Sequence, residues 1–211
     1  CGNERWVGKD KRTTFKCTLK MNGKLIVFSA PSGAGKTSII KYLLDKNLSA
    51  EFSISATTRK PRKNEKNGID YHFMSVESFK KKIKNKDFIE FEEVYDNVFY
   101  GTLNSEIDRI WNSGNMVVLD MDVMGGLKIK SIFKENALLV FVKPPSIKSL
   151  DKRLNKRALD TKKSILERLK KSEFELSYAE KFDVVLENND LFKTKNEAFR
   201  IVSEFIKSKW K

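Results

Sequence analysis

A glycine-rich segment at residues 30–37, Ala-Pro-Ser-Gly-Ala-Gly-Lys-Thr, constrains the fold of this chain more than any other feature. It follows an apolar run at residues 24–29 and precedes a helix-forming run at Lys36–Leu44. Small residues at this spacing let successive backbone N–H groups point inward around a phosphate. The pattern therefore predicts a phosphate-binding loop between a buried strand and a helix, although Ala30 stands where a glycine is usual. A glycine-rich turn with an incidental lysine is the alternative.

The predicted loop has the side chains that a polyphosphate requires. Lys36 is expected to reach the β- and γ-phosphates, and the Thr37 hydroxyl is expected to contact Mg²⁺. The start of the following helix adds partial positive charge. The residues expected to surround the polyphosphate are Ala30, Pro31, Ser32, Gly33, Ala34, Gly35, Lys36, Thr37 and Ser38.

A second phosphate-binding segment follows at residues 53–62, Ser-Ile-Ser-Ala-Thr-Thr-Arg-Lys-Pro-Arg. Its two arginines, Arg59 and Arg62, suit a phosphate monoester, because the planar guanidinium can pair with two phosphate oxygens at once. A chain with both sites can bring a donor and an acceptor phosphate face to face. That layout is typical of a phosphotransferase.

Composition narrows the class of protein. At 211 residues, of which 40% are hydrophobic, the chain is long enough for one α/β domain with small inserted lobes. No apolar run approaches the roughly 20 residues that span a bilayer, and the first residues lack the apolar segment of a secretory signal. Cysteine occurs only as Cys1 and Cys17, so the folded body cannot rely on disulfides. These features predict a cytoplasmic protein.

The net charge of +14 is compatible with nucleic-acid binding. However, the lysines are spread along helical faces, as at residues 80–86 and 162–171, often beside acidic residues. We find no basic stripe interleaved with aromatic residues of the kind that stacks bases. The pattern favours a lysine-rich solvated surface, with neither a nucleic acid nor a membrane as partner, and it leaves the choice between monomer and homo-oligomer open.

The rest of the chain alternates between apolar runs and helical patterns. Residues 24–29, 116–119 and 137–142 are continuous apolar runs of the kind found in parallel strands, and residues 182–186 add another before a final helix. This alternation predicts an α/β fold with a parallel sheet flanked by helices.

Two segments interrupt the alternation. Residues 53–102 contain shorter, polar-alternating strands at 71–74 and 89–94, which indicates an inserted lobe, and residues 146–176 are helical and strongly charged, which suits a mobile lid. The core would then comprise residues 21–52, 103–145 and 177–211, whereas residues 1–20 are expected to be a disordered upstream extension with Met21 as the natural start.

Together these motifs, in this order, resemble the guanylate kinases of the bacterial type. The resemblance covers the chain from about residue 24 to the last helix and implies a P-loop kinase that transfers the γ-phosphoryl group of ATP to GMP and dGMP with Mg²⁺. Its markers are A-P-S-G-A-G-K-T at 30–37, S-A-T-T-R-K-P-R at 55–62, D-Y at 70–71, F-I-E at 88–90, Y-G-T at 100–102, L-D-M-D at 119–122 and P-P-S at 144–146.

The resemblance implies that the inserted lobe binds GMP. Arg59 and Arg62 would clamp the phosphate with the hydroxyls of Tyr71 and Tyr100. A carboxylate at Glu90 could accept from both the ring N–H and the amine of guanine, whereas adenine would leave it unpaired. Half-buried tyrosines and a solvated strand edge are the plainer interpretations of these positions. The implied base-contacting residues are Ser55, Glu90, Thr102 and Asp122.

The resemblance also implies the residues around the transferred group. Arg157 and Arg168 of the lid would neutralise charge on it, as Lys36 would, and Arg153 either assists or is only solvated. Asp120 would lie near the Mg²⁺ and its waters together with Thr37. Asn188 matches a position thought to contact the adenine of ATP. His72, the only histidine, is interpreted as structural.

Some positions depart from the family pattern. Met124 replaces a usual glutamine, Ala158 a usual glycine and Asn189 a usual aspartate. A non-catalytic guanylate-kinase-like interaction module, or a kinase of the same fold acting on another phosphate ester, are the alternative functions. Retention of Lys36 and Arg168 argues against the first, and the base-contacting set argues against the second.

Overall fold

The computed structural model describes residues 23–46, 48–157 and 162–208, so the predicted extension at 1–20 lies outside the described residues. Nine strands and seven helices are described. The strands are β1 (Leu25–Ser29), β2 (Ala50–Phe52), β3 (Ala56–Thr57), β4 (His72–Phe73), β5 (Phe88–Tyr95), β6 (Val98–Leu103), β7 (Met116–Asp120), β8 (Ala137–Lys143) and β9 (Val184–Glu187). The helices are α1 (Lys36–Leu44), α2 (Val76–Lys84), α3 (Asn104–Asn112), α4 (Val123–Phe133), α5 (Ile147–Arg157), α6 (Lys162–Ser177) and α7 (Leu191–Lys207).

The main sheet has five parallel strands in the order β2-β7-β1-β8-β9. Strand β1 lies at its centre, paired with β7 and β8, and all five of its residues are buried because apolar side chains of the helices cover both faces. This confirms the predicted α/β class. Two apolar cores cover the two faces of the sheet, one around Ile129 and Phe133 of α4 and one around Ile39 and Val202 of α1 and α7.

A second sheet of four strands, in the order β4-β3-β6-β5, is built from residues between 56 and 103. Strands β5 and β6 form an antiparallel hairpin whose turn contains Asn97 at φ 58°, a left-handed conformation that asparagine tolerates. Phe79 of α2 stacks between Phe88 and Phe99, with ring centroids 4.3 and 5.3 Å away. These aromatic contacts give the small sheet a core of its own.

The last helix is fixed to the central strand by a buried lysine. The Lys24 ammonium donates to the carbonyl oxygens of Phe205 at 2.6 Å and Ile206 at 3.2 Å. These carbonyls belong to the last turn of α7, where the usual donor four residues later is missing, so a cation there helps to satisfy them. The Phe205 carbonyl also accepts from the Ser208 backbone N–H at 3.3 Å. None of the described helices is long and apolar enough to cross a membrane.

Candidate active site

The phosphate-binding loop has the conformation that its glycines predict. Gly33 and Gly35 have φ angles of 91° and 104°, which L side chains rarely adopt, and α1 begins at Lys36 directly afterwards. The loop borders a cavity of about 420 Å³ that is also lined by side chains of α6. Its loop and helix lining comprises Ala30, Pro31, Ser32, Gly33, Gly35, Lys36, Thr37 and Ser38. Ala34, which the sequence also placed around the polyphosphate, is a buried residue of the loop and does not line the cavity.

The charged helices α5 and α6 reach the loop through two arginines. Arg168 donates to the Ser32 hydroxyl at 2.8 Å, and Arg153 donates to the carbonyl oxygens of Gly33 at 3.3 Å and Ala34 at 3.4 Å. Arg153 therefore has a defined contact that the sequence left open. Arg157 ends α5, but its side chain lies outside the described part of the structure, as does Ala158.

Lys36 pairs with Asp120, which ends β7 at the carboxyl edge of the sheet. Both side chains are partly exposed, at 19% and 30%. The pairing brings together the loop lysine and the carboxylate that the sequence suggested for the metal. Thr37 is exposed and lines the first cavity together with Lys36. The described residues contain no group of three or more histidine, cysteine or acidic side chains that could hold a metal ion.

Asn188 lies beneath the loop and not in the cavity. Its side chain is 2% exposed, and its amide donates to the Ala34 carbonyl at 2.6 Å. A Cβ atom on Gly35 would lie 2.3 Å from the same amide nitrogen. In this structure Asn188 thus supports the backbone of the loop, and the adenine contact that the resemblance implies stays a prediction.

A second cavity, of about 460 Å³, lies between the two sheets. Its lining includes five residues that the resemblance assigns to an acceptor site, Ser55, Tyr71, Glu90, Tyr100 and Asp122. Thr102 is buried behind the cavity wall and contacts it through Glu90, since its hydroxyl donates to the Glu90 carboxylate at 2.8 Å. The second cavity therefore contains most of the residues proposed to surround the guanine.

Glu90 is a buried carboxylate, only 8% exposed. Burial raises the pKa of Glu90, whereas the hydrogen bond from Thr102 acts in the opposite direction. A buried carboxylate with one donor beside it still has acceptor capacity left. It is therefore suited to a ligand that presents two adjacent N–H donors.

The two arginines of the second segment differ in their surroundings. Arg59 donates to the Tyr100 hydroxyl at 3.1 Å, and its guanidinium lies 5.3 Å from the centre of the Tyr71 ring. It also forms a two-bond ion pair with Glu65. Arg62 is exposed, and its backbone N–H donates to Glu65 at 2.7 Å.

Three carboxyl groups at the meeting point of the cavities have shifted pKa values. Glu92 shares a hydrogen bond with Asp122, and this bond together with burial raises the pKa of Glu92 to about 7. Burial opposes ionisation of Asp122, but hydrogen bonds from Glu92 and from the Gly125 backbone hold its pKa below the usual value. Burial also raises the pKa of Glu175 to about 7, against the opposing charges of Lys171 and Lys36.

Four charged residues in and around these cavities were missed from the sequence: Glu65, Glu92, Lys171 and Glu175. Glu92 lies two residues after Glu90 on the same face of a strand, and Glu175 and Lys171 follow Arg168 at helical spacing, so periodicity was an available signal. Glu65 had no such signal. Met124, one of the departures from the family pattern, and His72 belong to neither cavity lining. Met124 is 49% exposed, and the His72 ring lies 3.7 Å from the Glu106 carboxylate.

Comparison with known proteins gives a consistent result. The family model described as guanylate kinase matches residues 22–209. A guanylate kinase of Bacteroides thetaiotaomicron is 47% identical over 193 residues, covering 91% of this chain and 95% of the relative. One of Chlorobaculum tepidum is 46% identical, covering 87% of this chain and 94% of the relative.

A solved structure agrees with these sequence matches. The crystal structure of guanylate kinase from Anaplasma phagocytophilum superimposes with a TM-score of 0.71 at 29% identity, covering 88% of this chain and 87% of that one. The sequence matches, the superposition and the two adjoining cavities all lead to the same assignment. The chain belongs to the guanylate kinase family.

Proposed function

We propose that the first cavity binds ATP and the second binds GMP, so that the chain converts ATP and GMP, or dGMP, to ADP and GDP. One observation carries this assignment: Lys36, Arg168, Lys171 and Glu175 line both cavities. The cavities therefore meet at three cations, Lys36, Arg168 and Lys171, which suit a transferring phosphoryl group. Phosphoryl transfer requires chiefly positioning and charge neutralisation, and these cations supply the second.

At the donor end, the backbone N–H groups of the loop hold the polyphosphate and Lys36 neutralises its outer phosphates. The pairing of Lys36 with Asp120 keeps the ammonium at the mouth of the loop. Thr37 and Asp120 offer oxygen ligands, which suit Mg²⁺, and this cation usually takes few protein ligands besides phosphates and water. When bound, Mg²⁺ would neutralise phosphate charge. Ser38 completes the binding segment.

At the acceptor end, Arg59 and Arg62 bind the GMP phosphate, with Tyr71 and Tyr100 beside it. The Glu90 carboxylate accepts from the ring N–H and amine of guanine. Its burial supports this role, because a ligand without those donors would leave a buried acceptor unpaired. Ser55, Thr102 and Asp122 complete the base pocket.

The division into a core, a GMP-binding lobe at 53–102 and a lid at 146–176 is part of the same proposal. Arg157 and Arg168 act from the lid, and closure of the lid excludes water from the phosphoryl group. The contacts of Arg153 and Arg168 with the loop support a lid that approaches the donor. A cytoplasmic location and the absence of a nucleic-acid partner stay predictions.

The test is ADP production from Mg·ATP with GMP, AMP, UMP, CMP or water as acceptor. Fast turnover with GMP alone is the expected result, and Lys36→Met is the control that should abolish it. Equal turnover with AMP would contradict the base pocket. Binding of GMP without turnover on any nucleotide would instead favour a non-catalytic interaction module.

A further inference from the structure

The carboxylate of Glu65 occupies one side of the proposed phosphate clamp. Its two oxygens accept from Nη1 and Nη2 of Arg59, both at 2.9 Å. The Nη1 group also donates to the Lys60 carbonyl at 2.7 Å, and Nε donates to the Tyr100 hydroxyl at 3.1 Å. Arg59 is therefore held along two edges of its guanidinium plane.

The donor capacity of Arg59 limits what it can offer a phosphate. A guanidinium has five N–H groups. Four of them are used by Tyr100, Lys60 and Glu65, which leaves one N–H, on Nη2, for a ligand. As long as Glu65 stays, Arg59 cannot grip a phosphate with two parallel hydrogen bonds. Glu65 must therefore either be displaced by the phosphate or remain and orient the arginine.

Hydrogen bonds to the local backbone favour a Glu65 carboxylate that stays on Arg59 when phosphate binds. One Glu65 oxygen also accepts from the Arg62 backbone N–H at 2.7 Å, and the Glu65 N–H donates to the Arg62 carbonyl at 3.0 Å. These reciprocal bonds close the turn that carries Arg62. A carboxylate that left Arg59 would also lose its bond to the Arg62 backbone, which is one of the two bonds that close this turn.

Two aromatic rings also lie beside the Arg59 guanidinium. The Arg59 guanidinium lies 5.3 Å from the ring centre of Tyr71 and 5.8 Å from that of Phe73. Cation–π contacts of this kind favour one orientation of the plane. The hydrogen bonds from Arg59 and from the Arg62 backbone also hold the pKa of Glu65 below its usual value, so the carboxylate is ionised at neutral pH.

We propose that Glu65 is a positioning residue for the acceptor phosphate. It holds the Arg59 guanidinium with its remaining Nη2 N–H available and fixes the turn from which the Arg62 side chain reaches the same phosphate. The inference rests on the proposed function, in that the clamp binds the phosphate of GMP.

Charge alone and a positioning role predict opposite changes in GMP affinity when Glu65 is removed. Removing a negative charge beside two arginines would by Coulomb attraction alone strengthen the binding of a phosphate. A displaceable carboxylate would give the same result. A positioning residue gives weaker binding, because a clamp that has lost its geometry binds less well even though it is more positive.

The experiment compares Glu65→Ala and Glu65→Gln with the unmodified chain. The Kd of GMP is measured by calorimetry and that of guanosine by competition with GMP. The KM values for GMP and ATP and the kcat are measured from ADP production. We expect Glu65→Ala to weaken GMP binding by roughly 10- to 100-fold, with guanosine and ATP unchanged. Glu65→Gln keeps the shape of the side chain and one acceptor oxygen. Its Kd for GMP should therefore lie between that of the unmodified chain and that of Glu65→Ala.

The control is Glu77→Ala, which removes an exposed carboxylate of α2 elsewhere in the same lobe and should change none of these constants. Unchanged or tighter GMP binding in both Glu65 variants would overturn the positioning role while the proposed function stands. If the unmodified chain bound GMP no more tightly than guanosine, the phosphate clamp itself would be refuted and the inference with it. The isosteric glutamine variant keeps the test valid if the alanine variant does not fold.

Discussion

Arg168 of α6 donates a hydrogen bond of 2.8 Å to the hydroxyl of Ser32, so one of the charged helices is joined directly to the phosphate-binding loop. The two residues are 136 positions apart in sequence. Because Arg168 lines both cavities, the bond holds a cation beside the line along which a phosphoryl group would travel. In the proposed function, we therefore expect Ser32 to orient Arg168 of the proposed lid as well as to line the donor cavity.

We expect Arg168→Met to lower kcat by about 10²- to 10³-fold, because it removes a charge that stabilises the transition state. The KM values for ATP and GMP should change only a few-fold, since other groups hold both ground states. Steady-state kinetics with both substrates varied measures this. Lys170→Met, an exposed substitution on the same helix, is the control. A large rise in either KM at constant kcat would show that Arg168 binds substrate rather than the transferring group.

Glu90→Gln should raise the KM for GMP by roughly 100-fold or more and leave the KM for ATP unchanged, because the amide presents a donor to the donors of guanine. Glu93→Gln, on an exposed position of the same strand, is the control. An equal rise in the KM for GMP and in the KM for ATP would show that the base pocket lies elsewhere.

The same variant should affect stability in the opposite direction. Burial raises the pKa of Glu90 in the folded state, so its favourable contribution is present below the unfolded pKa and is lost as the pH rises through the folded value. Glu90→Gln therefore should make the protein more stable at neutral pH. Chemical denaturation without nucleotide measures this, and a loss of stability would indicate that the ionised carboxylate is well paired.

Glu175 gives a pH dependence with a defined window. Its pKa is raised from 4.5 to about 7 by burial, so the stability it contributes is fully present below about pH 4.5 and is lost as the pH rises through about 7. Glu175→Gln should increase the free energy of unfolding above pH 8, by at most about 3 kcal/mol, and change little at pH 4. The charges of Lys171, Lys36 and Asp122 face the group and are retained in the variant.

The measurement for Glu175 is a series of denaturant titrations of the nucleotide-free protein between pH 4 and pH 9. Glu173→Gln, an exposed residue of the same helix, should show no such pH dependence. A stabilisation of equal size at every pH would mean that packing, and not ionisation, is responsible.

Asn188→Ala should weaken binding of the donor by roughly 10-fold through the loop backbone, because it removes the buried hydrogen bond to Ala34. The loss should be the same for ATP and for inorganic tripolyphosphate, which has no base. A loss of affinity confined to ATP would instead support the contact between Asn188 and adenine that the resemblance implies. Gly35→Ala should be more severe, since the new methyl group would both strain a φ of 104° and meet the Asn188 amide.

Much of the fold was available from local patterns. The helix at Lys36–Leu44 was predicted to the residue, and the central strands within one or two residues, because a long apolar run next to a glycine-rich loop has few other conformations. Strand β9 begins at Val184, two residues later than expected, since residues 179–181 form a short 3₁₀ helix. The short strands β2 and β3 were not predicted, because they depend on pairing with β7 and β6 and have too few residues for a pattern.

Local sequence was enough to predict the loop, the parallel sheet and the kinds of side chain needed to bind two phosphates, because these depend on backbone geometry and local spacing. Which of those side chains contact one another could be seen only in the folded chain. Arg59 meets Glu65, Arg168 meets Ser32 and Asn188 lies under the loop. The last two contacts depend on how the helices pack on the sheet, whereas the first forms within one loop, and burial then raises the pKa of Glu90 and Glu175. Burial is a property of the packed chain, since every local segment is hydrated before the layers close over it.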